Sequence, residues 1–248
     1  MKKIILVFLI FFIVSCNDKQ VEKLDAQQII DKAIGVSGGI HYKDSAISFL
    51  FRDKEYVSQI ENGKKILKRI TYTDSLKITD IKKHNLFQRF FNDTLISIPD
   101  SVANRYSNSV NSVHYFARLP FGLNDSAVHK DLIGEVEING ANYYKVKITF
   151  DKNDGGEDFD DIYIYWFNKE TFKPDFLAYE FHIDGGGIRF REAFNERYVN
   201  GIRFVDYNNY KANNKEVDIF KIDSLFTKNA LELLSKIELK NIKVERMN

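Results

Sequence analysis

Apolar positions along this chain change their period several times, and each change marks an element. Ala26, Ile29, Ile30, Ala33 and Ile34 recur at helical spacing behind a capping box of Asp25 and Gln28, and Gly38 with Gly39 ends the predicted helix. A two-residue alternation then takes over. Strands are expected at residues 46–52, where Phe49 and Phe51 share a side, and at 54–60, 65–73, 76–82, 86–91 and 95–98. Asn62-Gly63 and Asn92-Asp93 supply turns, so this half reads as an antiparallel meander. Val102, Tyr106, Val110, Val113 and Ala117 return to the helical period over residues 100–119. One helix is expected there, closed by Pro120, with a polar middle at 104–112 whose poor propensity leaves room for a break.

Strands resume at residues 134–138 and 143–150 around Asn139-Gly140. In the second of these, Tyr144, Val146, Ile148 and Phe150 form a core side, while Lys145, Lys147 and Thr149 form a wet one. Residues 162–167 differ: Ile162, Ile164 and Trp166 occupy one face and Tyr163, Tyr165 and Phe167 the other, so this strand is expected to be covered on both sides. Strands at 176–183, 188–199 and 202–210 follow, separated by a loop at 184–187 and an Asn200-Gly201 turn. Pairing them across those turns gathers Leu177, Tyr179, Phe181, Ile183, Ile188, Phe190, Phe194, Tyr198, Val205 and Tyr207 on one aromatic face. The opposite, solvated face collects Glu180 beside Arg191 and His182 beside Arg189, with Asn195, Arg197 and Asp206 further along. A helix over 223–234 and a strand over 236–244 complete the reading.

Composition adds a compartment. Lys2 and Lys3, the unbroken apolar run at residues 4–14, and Ser15 before Cys16 have the order of a secretory signal, and the run is too short to span a bilayer. Residues 13–16, Ile-Val-Ser-Cys, resemble the lipobox of bacterial lipoproteins, which implies acylation of Cys16, a new N-terminus there and a membrane anchor. Residues 1–15 are then a signal peptide, 16–24 a tether and 25–248 a single domain. Cys16 is the only cysteine of the chain, so its acylation leaves no thiol for a disulfide framework or a nucleophile. With 36 Lys and Arg against 35 Asp and Glu, no basic stripe offers itself to nucleic acid. Aromatics at 14%, with 21 Phe and 13 Tyr, favour strands and either a thick core or an apolar pocket.

The whole pattern resembles the LolA/LolB-like superfamily of lipoprotein-localisation factors: a first helix ending in Gly-Gly, a long meander, an interrupting helix, and a strand, Asn-Lys-Glu-Thr turn, strand unit over residues 163–179. Residues 111–125, 134–151 and 182–210 look like a family of envelope lipoproteins of this length. The resemblance implies an α+β fold, an unclosed antiparallel half-barrel whose concave apolar face is partly covered by helices and receives acyl chains. It also implies a location in the envelope of a Gram-negative bacterium, with the outer membrane expected, and it carries no catalytic motif.

Candidate chemistry is sparse. No Gly-x-Ser-x-Gly elbow, His-Glu-x-x-His or nucleotide loop is present, so an enzyme of unknown reaction ranks below a binder, and no cofactor is expected. Residues 151–161 hold six carboxylates, yet Gly155 and Ile162 stand where an EF-hand needs ligands, and a solvated loop is the expectation over a Ca²⁺ site. His182 and Asp184 beside three glycines lack the further ligands of a zinc site and the helix of a phosphate loop, so no metal is expected. A hydrophobic ligand would meet Trp166, Leu177, Tyr179, Phe181, Phe190, Phe194 and Tyr207, unless the first helix packs that face as an ordinary core. His114, Tyr115 and Arg118, at the end of the interrupting helix, would stand at the mouth of the concavity, where Arg118 can meet an anionic group; His182, Arg189 and Arg191 are further polar candidates. The competing reading is a structural or partner-binding surface lipoprotein using Glu180, Arg189 and Arg191. A monomer is expected.

Overall fold

The computed structural model describes residues 23–84, 86–151, 161–182, 185–213 and 217–247. Residues 1–22 with Cys16, residues 152–160 of the acidic loop, and Ile183 with Asp184 lie outside the described residues. Helix α1 (Ala26–Ser37) starts with the expected capping box: the Asp25 carboxylate accepts from the Gln28 backbone N–H at 2.8 Å, and the Gln28 side chain accepts from the Asp25 N–H at 2.9 Å. Gly38 ends it at φ 144°, a conformation only glycine adopts readily, and a Cβ there would come within 2.9 Å of the Tyr42 ring.

The first sheet is a meander of β1 (Ser45–Phe51), β2 (Lys54–Glu61), β3 (Lys64–Tyr72), β4 (Lys77–Lys83), β5 (Leu86–Phe91) and β6 (Thr94–Ile96). Asn62-Gly63 and Asn92-Asp93 make tight turns at positive φ between paired strands. Helix α2 (Asp100–Ala117) runs unbroken through its polar middle. The second sheet comprises β7 (Val128–Ile138), β8 (Ala141–Phe150), β9 (Ile162–Asn168), β10 (Pro174–Phe181), β11 (Gly187–Val199), β12 (Ile202–Ala212) and β13 (Leu231–Ile237). After β13 the chain passes through Glu238 alone into β14 (Leu239–Arg246), which pairs with β1 and completes the first sheet. Two seven-stranded antiparallel sheets therefore adjoin at β13 and β14, while β6 and β7 are the other edges. This is the expected α+β architecture, an unclosed half-barrel.

Three differences from the sequence reading have physical reasons. The last helix, α3 (Ile222–Thr227), stops at Asn229 with φ 53°, and residues 231–234, read as the end of that helix, instead open the edge strand β13, held by pairing with β12. β7 begins six residues before the expected start, because the segment from Val128 onward finds a partner ladder along β8. Lys145 is not on a wet face: α3 brings Asp223 against it, with Lys145 Nζ 2.6 Å from Asp223 Oδ2, and the same oxygen accepts the Trp166 indole N–H at 3.0 Å. That network closes the convex side of the second sheet, where Ile164, Trp166, Phe176, Ile188 and Phe190 pack beneath Ile219, Ile222 and Phe226.

Candidate functional site

The register of β10 against β11 decides what the concave face carries. Phe181 pairs with Gly187, and Leu177 therefore stands opposite Arg191 and Tyr179 opposite Arg189. Directly opposed residues of an antiparallel pair point to the same face. The sequence reading had placed Glu180 beside Arg191; the pairing is shifted by three residues, and an odd shift in register turns every side chain of β11 to the other face. The connecting segment is one residue longer than the expected loop, and Gly185, Gly186 and Gly187 take positive φ. Phe190 and Ile188 accordingly belong to the convex core, fully buried with Trp166, rather than to a ligand-facing wall. Phe194 shares the face of Phe190 and lies under the Lys236 ammonium at 5.5 Å. Of the proposed aromatic surface, Leu177, Tyr179, Phe181, Val205 and Tyr207 remain on the concave side, and Arg189 and Arg191 join them there.

That concave side is covered in two ways. Toward β8 and β9 it is an ordinary core: Ile29, Ile30 and Ala33 of α1 pack on Val146, Ile148, Tyr163, Tyr165, Phe167 and Leu177. α1 meets the end of β11, where the Tyr198 hydroxyl donates to the Val36 carbonyl at 3.0 Å, and further along β11 and β12 α2 faces the sheet across a hollow of about 380 Å³. Ser109, Ser112, Val113, Phe116 and Ala117 of α2 line it, spaced as one stripe of a helix. Tyr179, Arg191, Val205, Tyr207 and Asn209 form the opposing wall, and Phe51, Ile237 and Leu239 close the side between the sheets. The volume falls within the roughly 300–1,000 Å³ of small-molecule sites. α2 is fixed to the first sheet at Ser107, whose Oγ accepts from Lys82 Nζ at 3.1 Å, and at Ser109 on the border of the hollow, whose Oγ accepts from Arg69 Nη1 at 2.9 Å.

His114, Tyr115 and Arg118 do not gather at the mouth of this hollow. His114 is 1% exposed, edge-on to Phe49 and Tyr56, and its Nε2 lies 3.0 Å from the Lys68 carbonyl. A carbonyl only accepts, so Nε2 carries the proton and Nδ1 is bare and unpartnered. Burial holds its pKa down at about 3, against the opposing pull of the Lys68 carbonyl. Tyr115 borders a second hollow, of about 190 Å³, with its ring against Gly122, where any Cβ would come within 2.5 Å. Arg118 is 6% exposed at a third hollow, donates from Nη2 to the Tyr42 carbonyl at 3.2 Å and lies over the Phe121 ring at 5.1 Å.

Arg191 is the residue whose place the sequence did not disclose. It is 8% exposed, its guanidinium carbon sits 4.2 Å from the Phe116 ring centroid and 5.0 Å from that of Tyr179, and Nη2 donates to the Tyr179 hydroxyl at 3.1 Å. Its Nε has no partner. Arg189 stacks on Phe181 at 4.9 Å, and His182 is exposed at the end of β10. Of the acidic loop, Asp151 accepts from His129 Nε2 at 2.7 Å. Among the described residues no three His, Cys, Asp or Glu side chains converge, and no helix is long and apolar enough to cross a membrane.

Fold and hollow together define an unclosed antiparallel half-barrel holding a helix in its concavity. The chain belongs to a family of unknown function, DUF6503, whose model matches residues 2–239. No curated protein matches it. Among solved structures, a DUF1329 family protein from Desulfovibrio piger is similar in fold, with a TM-score of 0.53 at 12% identity over 89% of this chain and 93% of that one. A LolA superfamily protein from Nitrosomonas europaea aligns over 91% of this chain and 96% of that one at 14% identity, with a TM-score of 0.49.

Proposed function

We propose that this protein binds or carries a hydrophobic ligand, an acyl chain of a lipid or lipoprotein, between α2 and the second sheet while anchored to the cell envelope through acylated Cys16. The observation that carries the reading is the hollow of about 380 Å³ whose walls include Phe51, Val113, Phe116, Val205, Tyr207, Ile237 and Leu239. Apolar side chains facing empty space lose the dispersion contacts that a packed core would supply, and an acyl chain restores them. The polar face named for the surface-partner alternative is divided, since Arg189 and Arg191 do not share a face with Glu180.

Displacement of a dansyl-labelled fatty acid tests the ligand. Wild-type protein should bind it, and Ala117→Trp, which fills the hollow from α2, should lower the affinity at least tenfold while the protein still melts cooperatively. Equal binding by both proteins, or none by the wild type, removes the reading. Cell fractionation tests the anchor: Cys16→Ser should leave the membrane fraction, and unchanged membrane retention of processed protein would refute lipidation.

A further inference from the structure

We propose that the ligand is an anionic amphiphile, whose carboxylate or phosphate head pairs with Arg191 inside the hollow while its chain lies along the α2 stripe. This rests on the hydrophobic-ligand reading and adds the chemistry of the head. Arg191 reaches the hollow from β11, opposite Asn209 of β12, and both line it. Arg191 is more than nine-tenths buried, yet no described carboxylate forms an ion pair with it. The lining contains no Asp or Glu, and Arg52 adds a second cation. A buried charge without a counter-ion is costly, and two aromatic faces with one hydroxyl compensate only part of that cost. Its Nε is buried without a partner, so that donor too is uncompensated. A guanidinium presents parallel donors that match the paired oxygens of a carboxylate or phosphate, which makes an oxyanion the group that completes this site. The same side chain in the convex core would carry no such implication; here it opens onto space large enough for a chain.

Retention of radiolabelled oleate, oleoyl lysophosphatidate and oleyl alcohol by the full-length, delipidated protein separates the outcomes. The wild type should retain at least one of the two anions about 10- to 100-fold better than the alcohol, the range expected of a charge-assisted hydrogen bond. Whichever anion is retained more strongly identifies the head as carboxylate or phosphate. Arg191→Met and Arg191→Gln should lose that preference and keep the affinity for oleyl alcohol. Equal retention of all three ligands by the wild type, or a preference that survives both substitutions, overturns the inference and leaves the hydrophobic-ligand reading standing. Retention of none of the three overturns that reading and the inference with it.

Discussion

Phe190→Ala separates the convex core from the ligand wall more sharply than any other substitution. Phe190 is 0% exposed, and its ring meets Phe226 at 4.7 Å, Trp166 at 5.4 Å and Phe176 at 5.7 Å between centroids. Deleting a ring from such a site leaves a void bounded by β9, β10 and α3, which the surrounding aromatics can fill only in part. The expected cost is about 3–5 kcal/mol. For a domain of this size each kcal/mol lowers Tm by about 2–4 °C, which gives a fall of about 6–20 °C. Fatty-acid affinity, measured well below the new midpoint, should stay within twofold of the wild type, because the ring lies on the face away from α2. Scanning calorimetry with a binding titration decides it. A fall in Tm under about 2 °C, or lost binding by still-folded protein, would refute the register that places Phe190 under α3.

Other expectations follow from named groups. His114 has a folded pKa depressed to about 3, so its contribution to stability is complete above its unfolded pKa near 6.5 and is lost as pH falls toward 3; denaturant titrations should show a loss approaching about 1.4 kcal/mol per pH unit between pH 6 and 4, and His114→Gln should flatten that slope. Asp80 is 1% exposed and accepts from Arg69 at 2.6 and 3.0 Å and from Arg89 at 2.7 and 3.0 Å, so Asp80→Ala, by stranding two cations against α2, should cost about 3–5 kcal/mol in urea unfolding, and a cost below 1 would contradict the network. Lengthening a fatty acid should tighten binding by about 0.8 kcal/mol, roughly fourfold in Kd, per added methylene until the hollow is full, and an affinity indifferent to chain length would argue for head-group binding alone.

Much of the fold was legible because its signals are local. The Asp25 and Gln28 capping box, the Asn62-Gly63 and Asn139-Gly140 turns, and the two apolar faces of β9 all stand where short-range chemistry puts them. Residues 231–234, Leu-Glu-Leu-Leu, have good helix propensity, but the ladder to β12 outweighs it, and nothing local announces that ladder. The site was less legible for the same reason. Whether Arg191 faces water or the hollow depends on whether four or five residues link β10 to β11, and glycines that tolerate positive φ allow either. Aromatic alternation also misleads here, since β10 and β11 bury apolar side chains on both faces, under α1 and α2 on one and under α3 on the other. The aromatic setting of Arg191 comes from Tyr179 on the neighbouring strand and from Phe116, on a helix distant in the chain.

The central claim is that an acyl chain occupies the space between α2 and β12. Intermolecular NOEs from an isotope-labelled fatty acid to the protein test it most directly. The account predicts contacts from the chain methylenes to the methyls of Val113, Ala117 and Val205 and to the Tyr207 ring, and none to Phe190 or Phe226. Contacts confined to exposed residues, or to the side chains beneath α3, would contradict it.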